Sequence, residues 1–243
     1  MTLNGHIKRS VILCFLLAVV CSTVLAQKHT VYLIPGQGAD ARLFKNLDID
    51  TAFQVKNIEY FTPEKDWDME RFAKELAKQI DTTQTFSIIG VSLGGMLATE
   101  MADFLHPEKV IVISSAKSRK EFPGRYRFQK IVPVFWVVPG IAIKTGARIL
   151  QPLVEPDRNK DKATFKSMLR NKDPLFLKRT TTMILTWKRE SYSNKIVHIH
   201  GDIDKTLPPR FVQYDYLVED GSHMMVLTRG KLISELIYGI MNE

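Results

Sequence analysis

Cysteine is nearly absent from this 243-residue chain: there are two, Cys14 and Cys21, and both lie in the first 26 residues. From Gln27 onward there is none, which excludes a disulfide framework, a thiolate nucleophile and a cysteine-ligated metal. Acidic residues are missing from the same 26 positions. The amino-terminal apolar run, Val11 to Val20, falls short of the roughly 20 residues that a helix needs to cross a bilayer. No internal repeat and no low-complexity tract interrupts the rest. With 45% hydrophobic residues, the chain can bury one sizeable core, so disorder and fibrous repetition are excluded and one domain with an insertion is expected.

The amino terminus reads as a targeting segment. Lys8 and Arg9 precede the apolar run, and Val24-Leu25-Ala26 then places small residues where a signal peptidase reads. This pattern predicts an export signal, residues 1–26, cleaved after Ala26. The alternative is a retained membrane anchor formed by residues 11–26. Bulky Val20 argues against lipid modification of Cys21.

Charge is distributed unevenly. The formal net charge is +8, yet residues 117–195 alone hold 19 Lys and Arg against 6 Asp and Glu. Such a segment is either a solvated helical face or a surface for acidic substrates and anionic membranes. A nucleic-acid partner is not expected, because no recognition motif accompanies the basic composition.

Apolar runs of four to six residues alternate with helical periodicity. Strands are predicted at Val31–Ile34, Phe53–Ile58, Phe86–Ile89, Lys109–Ser114, Lys195–His200 and Tyr214–Val218, with helices at Asp68–Ile80, after Ser92 as far as His106-Pro107, and at Met224–Met241. That order implies an α/β fold with a mostly parallel sheet covered on both faces. Between Ala116 and Lys195 no strand signal occurs. A Pro-interrupted apolar stretch, Ile131 to Ile141, is followed by helical patterns at Ala142–Leu153, Lys162–Arg170 and Leu175–Lys188, which predicts an all-helical insertion at about 117–194.

One stretch carries chemistry. In Gly90-Val91-Ser92-Leu93-Gly94-Gly95 a buried strand runs into a serine and then a helix, a turn so tight that residues two positions to either side have no room for side chains. Alone the pattern is weak, since a bare G-x-S-x-G arises by chance in roughly one chain in ten of this length. It gains meaning from an acid and a base further along the chain. Asp204 lies in the loop after the predicted strand ending at His200-Gly201, with Asp202 as a competing acid, and His223 lies in the loop after the last strand. A serine hydroxyl needs a neighbouring imidazole to take its proton, and the imidazole needs a carboxylate to hold its tautomer. Ser92, Asp204 and His223 meet that need in chain order. His198 and His200, alternating on a strand with Val197 and Ile199, read as hydrogen-bonded structural residues rather than metal ligands.

With these motifs in place, the chain from Val31 onward resembles the α/β-hydrolase superfamily in its compact form. The matching pieces are Pro35-Gly36-Gln37-Gly38, the serine elbow, His200 to Asp204 with Pro208, and Gly221-Ser222-His223. The resemblance implies a sheet of about six strands, a helical lid in the position of the insertion, and an oxyanion hole from the backbone N–H groups of Gln37 and Leu93. One departure is Pro35-Gly36 where many members carry His-Gly. The implied activity is hydrolysis of small-molecule or lipid carboxylic esters, without metal or organic cofactor. Alternatives on the same residues are a lipid-surface lipase or thioesterase, an acyltransferase, and a non-catalytic binding protein.

Overall fold

The computed structural model describes residues 28–124, 126 and 138–243. The predicted signal, residues 1–26, and most of the apolar stretch, residues 131–137, lie outside them.

Six strands form one sheet: β1 (Thr30–Ile34), β2 (Gln54–Asn57), β3 (Phe86–Val91), β4 (Val110–Ile113), β5 (Ile196–Gly201) and β6 (Tyr216–Val218). Their order is β2-β1-β3-β4-β5-β6, and every pairing is parallel. The central strands are rich in Val and Ile because both of their faces are buried, and β-branched side chains pack well on a pleated surface. Alternate residues feed two cores. Tyr32, Ile34, Ile88 and Val112 face α1 (Met69–Ala77) and α2 (Leu93–Leu105), where Phe72, Leu76, Leu97 and Met101 are buried. Val31, Leu33, Ile89 and Ile113 face α7 (Gly230–Met241) through Ile233, Ile237 and Ile240. Because the period along a strand is two, a register slip of one residue would exchange the two cores.

The inserted segment between β4 and β5 contains α3 (Gly140–Val154), α4 (Lys162–Asn171) and α5 (Pro174–Thr186), and no strand among its described residues. Local signals set the ends of these helices. Asp173 accepts hydrogen bonds from the Leu175 and Phe176 amides, and Pro174 opens α5, where the missing N–H costs nothing. Asp161 caps α4 in the same way. The segment is tied to the loops and to α2 at several points. Thr62 bonds Asp173 at 2.6 Å, Arg42 bonds Ser167 at 2.8 Å, and Lys45 pairs with Asp161. At its exit, Trp187 Nε1 donates to Glu100 at 2.7 Å while Arg189 pairs with both Glu100 and Asp103 of α2. Trp187 is buried against Phe122; Phe135 and Trp136 lie outside the described residues.

The closing helix differs from its prediction. It is broken at Arg229 into α6 (Met225–Thr228) and α7, because Gly230 lies against the chain at Asn46, where a Cβ would come within 2.1 Å of the Asn46 carbonyl oxygen. Apolar periodicity continues across the break and conceals it.

Candidate functional site

Ser92 stands between the end of β3 and the start of α2 with φ 54° and ψ −119°, a conformation that costs a residue with a Cβ about 1–3 kcal/mol. Surrounding contacts impose it. A Cβ on Gly90 would meet the Gly94 carbonyl oxygen at 2.3 Å, and one on Gly94 would meet the Ile34 carbonyl oxygen at 2.1 Å. Alanine at either position therefore pushes the elbow away from the sheet. Ser92 occupies the N-cap position of α2, but its side chain makes no capping hydrogen bond. Its hydroxyl is turned to His223 instead, with Oγ 2.9 Å from Nε2.

On the other edge of that ring, His223 Nδ1 lies 2.7 Å from Asp204 Oδ2. Asp204 and His223 are buried. The second Asp204 oxygen accepts from the Thr206 and Leu207 amides, each at 2.8 Å, so the carboxylate cannot rotate without losing two backbone bonds. Asp202, the competing acid, instead accepts from the Gly221 amide at 3.2 Å and steadies the loop that carries His223. All three groups sit in loops at the carboxyl edge of the parallel sheet, where the strand direction delivers them. Burial opposes charge on the His223 ring, but the charge and hydrogen bond of Asp204, with the charge of Glu155, outweigh it and hold the imidazole above its ordinary pKa.

The overall geometry is shared with solved structures. A thermophilic esterase from Thermogutta terrifontis superposes with a TM-score of 0.64 at 16% identity, over 88% of this chain and 89% of that one. A putative non-heme bromoperoxidase from Mycobacterium tuberculosis gives 0.64 and 16%, covering 88% and 92%. An epoxide hydrolase from Bacillus megaterium gives 0.65 and 12%, covering 89% and 94%. The chain has the α/β-hydrolase fold. An uncharacterised protein family, UPF0227, matches residues 40–131, and no curated protein matches by sequence.

In this α/β-hydrolase fold the inserted helices roof a cavity of about 520 Å³. Ser92 and His223 lie at its base, and Ile143, Val154, Phe165 and Ile184 are among its largely apolar walls. Of the two implied oxyanion donors, Gln37 lines the cavity and Leu93 directly follows Ser92. The Ser92 carbonyl accepts from the Gly95 and Met96 amides, so Leu93 N–H, in the first turn of α2, has no acceptor within the helix. Pro35-Gly36 packs against Ser92, with a Gly36 Cβ position 3.4 Å from Ser92 Cβ, and Tyr60 OH donates to the Pro35 carbonyl at 2.7 Å. The Gln37 side chain reaches into the roof, its Nε2 lying 2.8 Å from the hydroxyls of Thr180 and Thr181 and 3.0 Å from the Leu177 carbonyl of α5. This contact couples the loop to the insertion, and sequence reading had no signal for it.

His198 and His200 are fully buried. His198 Nδ1 faces the Gln213 carbonyl at 2.8 Å and His200 Nε2 faces the Leu207 carbonyl at 2.7 Å. A carbonyl only accepts, so each ring directs its proton outward, and the facing nitrogens 3.1 Å apart need one more proton to form a hydrogen bond. Burial pushes both rings below the ordinary histidine range. Their structural role is to hold the Leu207 and Gln213 loops beside Asp204.

Sequence reading missed Glu155. It follows α3, is only 4% exposed, and lines the cavity with Ser92 and His223. Nothing in the local sequence marks it, because Glu155 is one of six acids scattered among the 19 cations of the insertion.

Proposed function

We propose that this protein is a serine hydrolase that cleaves carboxylic esters through an acyl-enzyme on Ser92. The observation that carries the reading is the relay from Ser92 Oγ through His223 to Asp204, at 2.9 and 2.7 Å, opening on a largely apolar cavity. In the first step His223 Nε2 takes the Ser92 proton as Oγ attacks the ester carbonyl. The resulting oxyanion is met by the Leu93 and Gln37 amides, and removing one donor of this kind costs about 3 kcal/mol in the barrier. Collapse breaks the bond to the leaving alcohol, which receives the proton from His223. Water, deprotonated by the same nitrogen, then attacks the acyl-enzyme, and Ser92 recovers its proton. Asp204 keeps the ring in the Nδ1–H tautomer throughout and stabilises the imidazolium. The test is a fluorophosphonate probe with p-nitrophenyl butyrate as substrate. Labelling at Ser92 together with turnover supports the reading, while an unlabelled and inactive protein favours a non-catalytic binding function.

A second reading concerns where the substrate is met. Ile141, Ile149 and Leu153 lie 61–67% exposed on α3, with Arg148 on the same helix. An apolar stripe beside basic residues suits an anionic lipid surface, although no helix among the described residues is long and apolar enough to cross a membrane. Export directed by residues 1–26 belongs to the same proposal. The expected result is cosedimentation with phosphatidylglycerol vesicles and not with phosphatidylcholine vesicles at low salt; equal indifference to both leaves the stripe as a solvated face.

A further inference from the structure

Between Pro35 and Asp40 the chain reads Gly36-Gln37-Gly38-Ala39, so Gln37 alone offers a polar side chain there. The four residues form a turn closed by the Ala39 N–H bond to the Gly36 carbonyl at 3.1 Å. That bond leaves the Gln37 N–H free, and among the described residues no backbone carbonyl accepts it. Glycine on either side gives the centre of the turn rotational freedom. What fixes it is the Gln37 carboxamide, whose Nε2 meets the Thr180 and Thr181 hydroxyls and the Leu177 carbonyl, all on α5. A carbonyl only accepts, so the nitrogen and not Oε1 faces α5. The buried Thr180 hydroxyl sends its own proton to the Phe176 carbonyl at 2.7 Å and meets Gln37 with a lone pair. Two N–H groups serve three acceptors, so one bond is shared. The insertion does not need this clamp to stay seated, because Asp173, Ser167, Asp161, Trp187 and Arg189 bond it elsewhere. Dependence therefore runs from α5 to the turn.

Building on the assignment of Ser92 as nucleophile and of the Gln37 amide as an oxyanion donor, we propose that Thr180 and Thr181 are positioning residues. Acting through the Gln37 carboxamide, they hold the Gln37 backbone N–H where the oxyanion forms. Neither threonine has to touch the reacting atoms. A preorganised donor stabilises developing charge only while it stays within hydrogen-bond distance, and a displacement of about 1 Å can cost about 10²-fold in rate. The two halves of the hole then have different supports. Leu93 N–H is fixed by the elbow and the first turn of α2, whereas Gln37 N–H is fixed from the inserted helix. A Gln37 released from α5 keeps its N–H but loses its aim, while the apolar walls bind the ground-state ester as before. The signature is a fall in kcat and in kcat/KM together, with KM little changed.

The test compares the parent with Gln37→Met, with the pair Thr180→Val and Thr181→Val, and with the pair Thr180→Ser and Thr181→Ser, each shown to be folded by circular dichroism. The substrate is p-nitrophenyl butyrate and the probe n-butylboronic acid. Boron bonds to Ser92 Oγ and becomes a tetrahedral anion, the serine proton passes to His223, and one boron hydroxyl takes the oxyanion position. Gln37→Met and the valine pair are each expected to lower kcat about 10- to 100-fold, with KM within about threefold of the parent. Boronic acid affinity should weaken by a similar factor. The serine pair keeps both hydroxyls and should recover most of the parental kcat. Adding the valine pair to Gln37→Met should cost less than about threefold more, because all three residues act through one contact. Parental kcat in Gln37→Met overturns the proposal, as does a raised KM with kcat and boronic acid affinity unchanged, or losses that multiply in the combined variant. If the valine pair unfolds, Gln37→Met and the serine pair decide. A parent that hydrolyses no ester, takes no fluorophosphonate label and binds no boronic acid removes the hydrolase reading and the clamp with it; an active parent with insensitive variants removes the clamp alone.

Discussion

Ser92→Ala is expected to lower kcat/KM for p-nitrophenyl butyrate by at least about 10⁴-fold and to abolish fluorophosphonate labelling, with the fold intact. The loss is large because no other described nucleophile sits beside His223 Nε2, and water would have to replace an oxygen held 2.9 Å away. The fold survives because every structural bond at this position belongs to the backbone. Ser92 N–H donates to the Ile113 carbonyl at 3.0 Å, and its carbonyl accepts from the Gly95 and Met96 amides and from the Ser115 hydroxyl at 2.7 Å. Alanine keeps all of these and the same Cβ in the same strained turn. A thermal melt close to that of the parent, beside an inactive protein, checks both halves; a variant as active as the parent removes Ser92 from the mechanism.

Asp204→Asn should cost about 10³ to 10⁴-fold in kcat, by a different route. The asparagine oxygen can keep both 2.8 Å bonds from Thr206 and Leu207, which places its NH₂ where Oδ2 now faces His223 Nδ1. Two donors cannot share that contact. The ring proton is driven to Nε2, and the nitrogen that should accept from Ser92 becomes a donor. Asp202→Asn supplies the contrast, since Asp202 holds only the Gly221 amide and its loss should alter activity a few-fold at most. Single-turnover acylation of both variants separates the tautomer effect from a shifted loop, and an Asp204→Asn enzyme acylating at the parental rate would exclude this role for Asp204.

The two acids show why part of the site was legible and part was not. Chain order and loop position narrowed the partner of His223 to Asp202 or Asp204, because short loops after parallel strands open on one edge. They could not choose between two residues separated by a single position. That choice depends on which carboxyl the Thr206 and Leu207 amides trap. Glycine spacing at 90 and 94 revealed the elbow because steric exclusion at a tight turn is a local property. Glu155 was invisible because its meaning comes from burial beside His223, 68 positions away, and burial is not written in the identity of a glutamate. The break at Arg229 was missed for a similar reason: it arises from the contact of Gly230 with Asn46.

By itself the sequence determined the alternation of strands and helices, the parallel sheet, the strained serine and the chain order of its candidate partners, since all of these derive from short-range periodicity and sterics. The tertiary structure alone decided which acid meets the imidazole, how Gln37 is tied to the inserted helices, and that Glu155 is buried at the cavity wall. Those are contacts between residues up to 144 positions apart, and their distances depend on how the whole chain packs.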